Sequence, residues 1–211
     1  MDLLGFGSPA QDDLLEVFRE VMGVELDDGV SFAVNGLRVD AIREELKYGG
    51  SRLRTTATLA GARTPITVDV GFGDAVEPGV EDIDLPVLLD MPSPHLRAYP
   101  IETVIAEKLH AMVVLGMANS RMKDYYDVWM LVTTFELEEQ RLARAIQATF
   151  ARRDTAVPSE VPTGLTSAFA EDPGKQRQWQ AFARNLAGQA PDLATIVSMI
   201  HCEFAPHFAA T

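Results

Sequence analysis

Tyr99-Pro-Ile-Glu-Thr-Val-Ile-Ala-Glu-Lys-Leu-His-Ala-Met112, then Gly116-Met-Ala-Asn-Ser-Arg-Met-Lys-Asp-Tyr-Tyr-Asp-Val-Trp-Met-Leu131, is the stretch whose reading decides the fold. Its spacing predicts two consecutive helices. On a 3.6-residue wheel Ile101, Val104, Ile105, Leu109, Met112 and Leu115 form one apolar stripe, and Lys108 falls inside it. Thr103, Glu107 and His110 lie on the opposite, expectedly solvated face. A lysine inside an apolar stripe must meet an anion or lose its charge, unless it snorkels its head to water. Both readings of Lys108 stand at this point. In the second helix Asp124 and Asp127 are three residues apart, hence on one surface. Asp124 borders the apolar face, so that a carboxylate and Lys108 are placed to meet near one seam, as a ligand site or as a structural ion pair. The plainer reading of Asp127 is an i,i+4 pair with Lys123 on a solvated face.

Outward from this stretch, the remainder of the chain toward the C-terminus reads as helical. Helices are expected over about 121–134, 138–152, 174–188 and 191–204, with Pro158 and Pro162 marking a loop. Pro100 suits a first helical position, Gly116 a helix end, and Asn119 or Ser120 a cap for the next helix. Toward the N-terminus the pattern changes period. Residues 30–73 alternate as strands do, with turns expected at Tyr48-Gly49-Gly50 and Ala60-Gly61-Ala62. In Pro65-Ile-Thr-Val-Asp-Val-Gly-Phe-Gly73, Ile66, Val68, Val70 and Phe72 share one face and Thr67, Asp69, Gly71 and Gly73 the other. Arg52 and Arg54 are candidates for that second, polar face. Asp2-Leu-Leu-Gly-Phe-Gly7 looks like a strand end running into a loop. Gln11–Val21 has helical spacing, with Leu14, Leu15, Val17, Phe18 and Val21 apolar. The fold class is therefore α+β: a small mixed or antiparallel sheet with helices over residues 1–90, then a helical region over 91–211. A Pro-rich, acidic connector covers residues 74–98.

Composition narrows the function. The 211 residues carry a formal net charge of −13. It is concentrated in residues 1–90, which hold 7 Lys+Arg against 18 Asp+Glu; residues 91–211 hold 11 against 13. Such acidity weighs against broad, non-specific nucleic-acid binding but leaves room for a local basic groove, for which Arg52, Arg54, Arg121 and Arg152-Arg153 are the candidates. No apolar run approaches the roughly 20 residues of a membrane span. The start lacks a signal-peptide pattern, and the single cysteine, Cys202, suits a reducing cytoplasm. The histidines lack zinc-ligand spacing, and neither a Walker A loop nor G-x-G-x-x-G occurs. Asp69, on the polar face of one strand, and Asp2, at the edge of another, could share one Mg²⁺ if those strands are neighbours about 4.8 Å apart. Strand carboxylates plus a helix lysine suit phosphoryl or nucleotidyl transfer.

Glu102-Thr-Val-Ile-Ala-Glu-Lys-Leu-His-Ala-Met112 followed by Ser120-Arg-Met-Lys-Asp-Tyr-Tyr-Asp-Val-Trp129 resembles the paired helical motifs of the AbiEii/AbiGii toxin family of nucleotidyltransferases. Asp2-Leu-Leu-Gly-Phe-Gly7 and Val68-Asp-Val-Gly-Phe-Gly-Asp74 are similar to the family's strand motifs, so that the resemblance covers roughly residues 1–135. It implies a DNA polymerase β-like nucleotidyltransferase fold. The implied chemistry is Mg²⁺-dependent transfer of NMP from an NTP to a hydroxyl acceptor such as RNA, tRNA ends included. A cognate antitoxin is the implied protein partner. By position Asp2 matches the second carboxylate of the family's Asp-x-Asp and Asp69 the third, both as metal ligands. Lys108 matches the nucleotide-binding lysine and Asp124 the aspartate of the last motif, with Asp127 supporting it. The family's Gly-Ser turn and the first aspartate would precede Met1, so the resemblance implies an N-terminally truncated chain. The alternative is a catalytically inactive nucleotide- or protein-binding relative.

Overall fold

Alternation over residues 50–72 makes the longest hairpin of the protein. In the computed structural model, which describes residues 1–42 and 50–208, strands β4 (Gly50–Leu59) and β5 (Ala62–Phe72) pair antiparallel from Gly50↔Gly71 to Leu59↔Ala62. The turn between them puts Ala60 and Gly61 at φ 47° and 85°, the two left-handed positions of a tight hairpin. Of the other expected turn, Tyr48 and Gly49 lie outside the described residues, and Gly50 opens β4. Strand β3 (Arg38–Ile42) pairs antiparallel with the first half of β4, and β2 (Val30–Phe32) with its second half. Strand β1 (Asp2–Gly5) runs parallel to β5, in register Asp2↔Asp69 to Gly5↔Phe72. The sheet is therefore mixed.

Period-2 geometry sends Ser51, Leu53 and Thr55 of β4 and Val68 and Val70 of β5 to one buried face. Helix α1 (Gln11–Met22) covers that face, with Leu14 buried and Leu15, Phe18 and Met22 packed beside it. Each large apolar side chain so buried contributes roughly 2 kcal/mol. Val17 and Val21, apolar members of the same helical pattern, are 53% and 60% exposed. The buried arc runs through Leu14, Phe18, Met22 and Leu15 and leaves both valines at its edge.

The chain forms two compact units, Met1–Asp74 and Ala75–Thr211. The boundary falls before the residue 90 expected from composition, because the connector folds with the helices that follow it. Its strand β6 (Glu81–Asp84) pairs with β7 (His95–Ala98). Arg141 reaches Glu81 and lies 3.1 Å from Glu102, and Thr103 Oγ1 donates to the Glu77 carbonyl at 3.0 Å.

The second unit is built around α2 (Ile101–Leu115). Helices α3 (Met122–Thr134) and α4 (Glu139–Arg152) pack on it, and α7 (Leu193–Phe208) packs on α3. The short α5 (Ser167–Glu171), which the spacing did not predict, and α6 (Pro173–Ala183) complete the layer. Helix α6 stops five residues short of the expected end, and α7 runs four residues further, to Phe208. Ile105, Leu109, Met112, Tyr125, Val128, Ile146, Phe150, Phe169 and Phe204 form one core.

Helix α2 corrects the wheel reading in one respect. Thr103 and His110, assigned to a solvated face, are 1% and 9% exposed. The connector carbonyl of Glu77 covers Thr103, while Phe150 meets the His110 ring edge-on at 4.9 Å and Thr155 Oγ1 lies 3.1 Å from its Nε2. A helix wrapped on both sides buries polar residues wherever each finds a partner. The end of α2 is set by Gly116, at φ 47°. Helix α3 begins one or two residues later than the Asn119 or Ser120 cap predicted. Asn119 still contributes, since its Oδ1 accepts the Arg121 backbone N–H at 2.9 Å. Tyr125 OH donates to the Gly164 carbonyl at 3.0 Å, and a Cβ at Gly164 would sit 2.6 Å from the Met112 carbonyl oxygen. That close approach ties the loop after α4 to both α2 and α3.

Candidate functional site

Two charged clusters hold the residues singled out by sequence, one in each unit.

The first lies on the sheet face opposite α1. Register pairing lines up Asp40 (β3), Arg52 (β4), Asp69 (β5) and Asp2 (β1) as one row across four strands. Arg52 grips Asp69 bidentately, Nε to Oδ1 and Nη2 to Oδ2, both at 2.6 Å. That fork geometry is the strong form of the pair. The Arg52 hydrogen bonds, outweighing partial burial, hold the Asp69 carboxyl below its ordinary range, with help from the N-terminal ammonium and Arg54. Reciprocally, the bond to Asp69 raises the Arg52 guanidinium. Arg54 pairs with Asp40 beside them. Asp2 is exposed next to Asp69, and the Met1 ammonium donates to the Thr67 carbonyl at 3.2 Å.

Mg²⁺ needs only one or two carboxylates, water and phosphate filling the rest of its octahedron. Asp2 and Asp69, register partners projecting from the same face, fit that donor set. Among the described residues no group of three or more His, Cys, Asp or Glu converges there. Arg52, seated on both Asp69 oxygens, is the cation that such an ion would meet there.

The second cluster lies in the seam between α2 and α3. Lys108 Nζ donates to Asp124 Oδ1 at 3.0 Å and to Asp127 Oδ2 at 2.8 Å. Its side chain is 18% exposed and that of Asp124 5%. Lys108 thus meets carboxylates and does not snorkel. Burial pulls its pKa down, but the hydrogen bonds to Asp127 and Asp124 outweigh that, and the ammonium titrates above its ordinary value. Burial likewise pushes Asp127 up, and Lys108 and Lys123 more than offset it, leaving the carboxyl low. Lys123 pairs with Asp127 at 2.5 Å, so the plain i,i+4 reading and the seam reading of Asp127 both hold. Arg121 Nε lies 2.6 Å from Asp124 Oδ2, an ion contact outside hydrogen-bond geometry. Three cations thus surround two carboxylates. Lys108 has three N–H donors and spends two on them.

Sequence reasoning placed Asp2, Asp69, Lys108, Asp124 and Asp127, and the structure pairs Asp2 with Asp69 and Lys108 with Asp124 and Asp127. It left Arg52 as one of two arginines on a polar face. The signal for its role was the strand register, Arg52 opposite Asp69, which the hairpin turn at Ala60-Gly61 fixes. Of the arginines considered for a basic groove, Arg52, Arg54, Arg121 and Arg153 each engage an acidic side chain, Arg153 with Glu107 at 3.6 Å.

A small mixed sheet bearing paired carboxylates, followed by helices, defines an α+β protein of nucleotidyltransferase-like fold. Residues 1–210 match the family described as nucleotidyl transferase AbiEii toxin, type IV toxin–antitoxin system, and the chain belongs to it. It is thereby a toxin of the nucleotidyltransferase type. Comparison with curated proteins and with solved structures gave no match. No helix among the described residues is long and apolar enough to cross a membrane.

Proposed function

We propose that the protein transfers a nucleoside monophosphate from an NTP to a hydroxyl acceptor on RNA, with tRNA ends as the first acceptor to test and an antitoxin as its controlling partner. The observation that carries this reading is Lys108, held ionised in a half-buried seam with one N–H undonated. The acceptor hydroxyl oxygen attacks the α-phosphorus and releases its proton to water, the bond from the α-phosphorus to the oxygen bridging to the β-phosphate breaks, and pyrophosphate leaves. Lys108 offers its third proton to a phosphate oxygen, while Asp124 and Asp127 fix the ammonium in place and keep it charged. This positioning lowers the entropic cost of reaction, and the fixed charge stabilises the transition state. Asp2 and Asp69 are the candidate ligands of a divalent ion, which when bound would supply charge neutralisation.

Incubation with α-labelled NTPs and total RNA, tRNA or protein tests the proposal. Label should enter RNA, and both Lys108→Met and Asp69→Asn should remove it while circular dichroism stays native. Transfer indifferent to Asp69→Asn would sink the reading. A second reading, a nucleotide-binding relative without transfer, is favoured by the Arg52 grip on both Asp69 oxygens; NTP binding without label in any acceptor would decide for it.

A further inference from the structure

We propose that Arg52 is an internal counter-cation for Asp69, a positioning residue that competes with the divalent ion for that carboxylate and lets go of it when the ion binds. The inference rests on the reading of Asp2 and Asp69 as metal ligands. Both Asp69 oxygens are engaged by one guanidinium at 2.6 Å, which takes one lone-pair direction on each, so an ion approaching along those directions competes with the bidentate pair. The pair is also able to open. The side chains of Arg52 and Asp69 are 38% and 27% exposed, which keeps the cost of separating them low.

A second seat for Arg52 is built into the sheet. Its register partner on the other side is Asp40, a carboxylate on the same face. A guanidinium leaving Asp69 therefore swings from the β5 side of β4 to the β3 side and joins Arg54 at Asp40, without being stranded. In the resting arrangement the Asp2–Asp69 pair is spared mutual repulsion, because Arg52 supplies the positive charge. Charge balance at the row is then kept by one cation or the other, and the ion's apparent affinity is lowered by the work of displacing Arg52.

Binding of Mn²⁺, read by electron paramagnetic resonance on the full chain without nucleotide, tests this. Arg52→Met should bind Mn²⁺ roughly tenfold tighter than wild type. Arg52→Lys, which keeps the charge, should return to near the wild-type affinity. Asp69→Asn should abolish binding in every background. In wild type, Mg²⁺ should also speed hydrogen exchange at the ¹⁵N-labelled Arg52 Nε–H, and should not do so in Asp69→Asn. If Arg52→Met binds no tighter while Asp69→Asn still abolishes binding, the competition is overturned and the metal site stands. If Mn²⁺ binding is absent or ignores Asp69→Asn, the metal reading itself fails and the competition falls with it. Should Arg52→Met not fold, Arg52→Lys and the Nε–H exchange in wild type decide alone.

Discussion

Asp69 and Asp124 are both carboxylates held by a cation, at 2.6 and 3.0 Å, yet their surroundings differ. Asp69 sits on an open sheet face with one arginine and another carboxylate beside it. Asp124 sits in a helix seam, its side chain 5% exposed, against Arg121 and against Lys108, which it shares with Asp127. An exposed pair is worth little to stability and is free to exchange partners. A buried cluster is costly to break, because whatever remains is a charge without water. The sheet face is thus arranged for substitution of one cation by another, and the seam for holding one cation still.

Removing the buried carboxylate breaks this contrast most severely. Asp124→Ala leaves Lys108 with Asp127 alone and Arg121 without its carboxylate, and should cost about 3 kcal/mol in urea unfolding. A loss as small as that of Asp69→Asn would erase the distinction between the clusters.

The next effect comes from the other flank of α2. Burial, aided by Arg153, holds His110 down at about 4. An unfolded histidine titrates near 6.5. The unfolded state therefore binds the proton first as pH falls. The His110 contribution is fully present above about 6.5, is lost between there and about 4, and amounts to roughly 3 kcal/mol. His110→Asn should flatten that part of the pH–stability curve, and the imidazole should titrate near 4 by NMR.

Arg52→Met should lower the urea midpoint slightly at neutral pH and, by the same small amount, remove the acid-side sensitivity due to Asp69. That carboxyl is depressed in the folded state, so its contribution is present above the unfolded value of about 3.9 and is lost as pH falls through the folded one. Smallest of all, Lys123→Gln removes an exposed i,i+4 pair and should cost about 0.3 kcal/mol.

The sequence made one half of this contrast easier to read than the other. A lysine inside an apolar stripe is conspicuous at helical period, and with Asp124 and Asp127 three residues apart it foretold the seam. The same wheel misplaced Thr103 and His110, because periodicity finds the most apolar side of a helix and cannot tell that the other side is also covered, here by the Glu77 carbonyl and by Phe150 of α4. On the sheet, alternation put Asp69 on the polar face, but pairing Arg52 with it required the register, a non-local quantity. The unit boundary shifted for a related reason: Arg141 recruits Glu81 from sixty residues away, and composition does not report such contacts.

Gly164 has a consequence for anyone reshaping this protein. With no room for a side chain against Met112, and with its carbonyl held by Tyr125, it pins the far end of the long stretch from α4 to α5 like a rivet. That stretch looks expendable by length and by its prolines. Trimming it, or grafting a shorter connection there, would loosen the angle between α2 and α3, and with it the setting of Lys108, from a point far away along the chain.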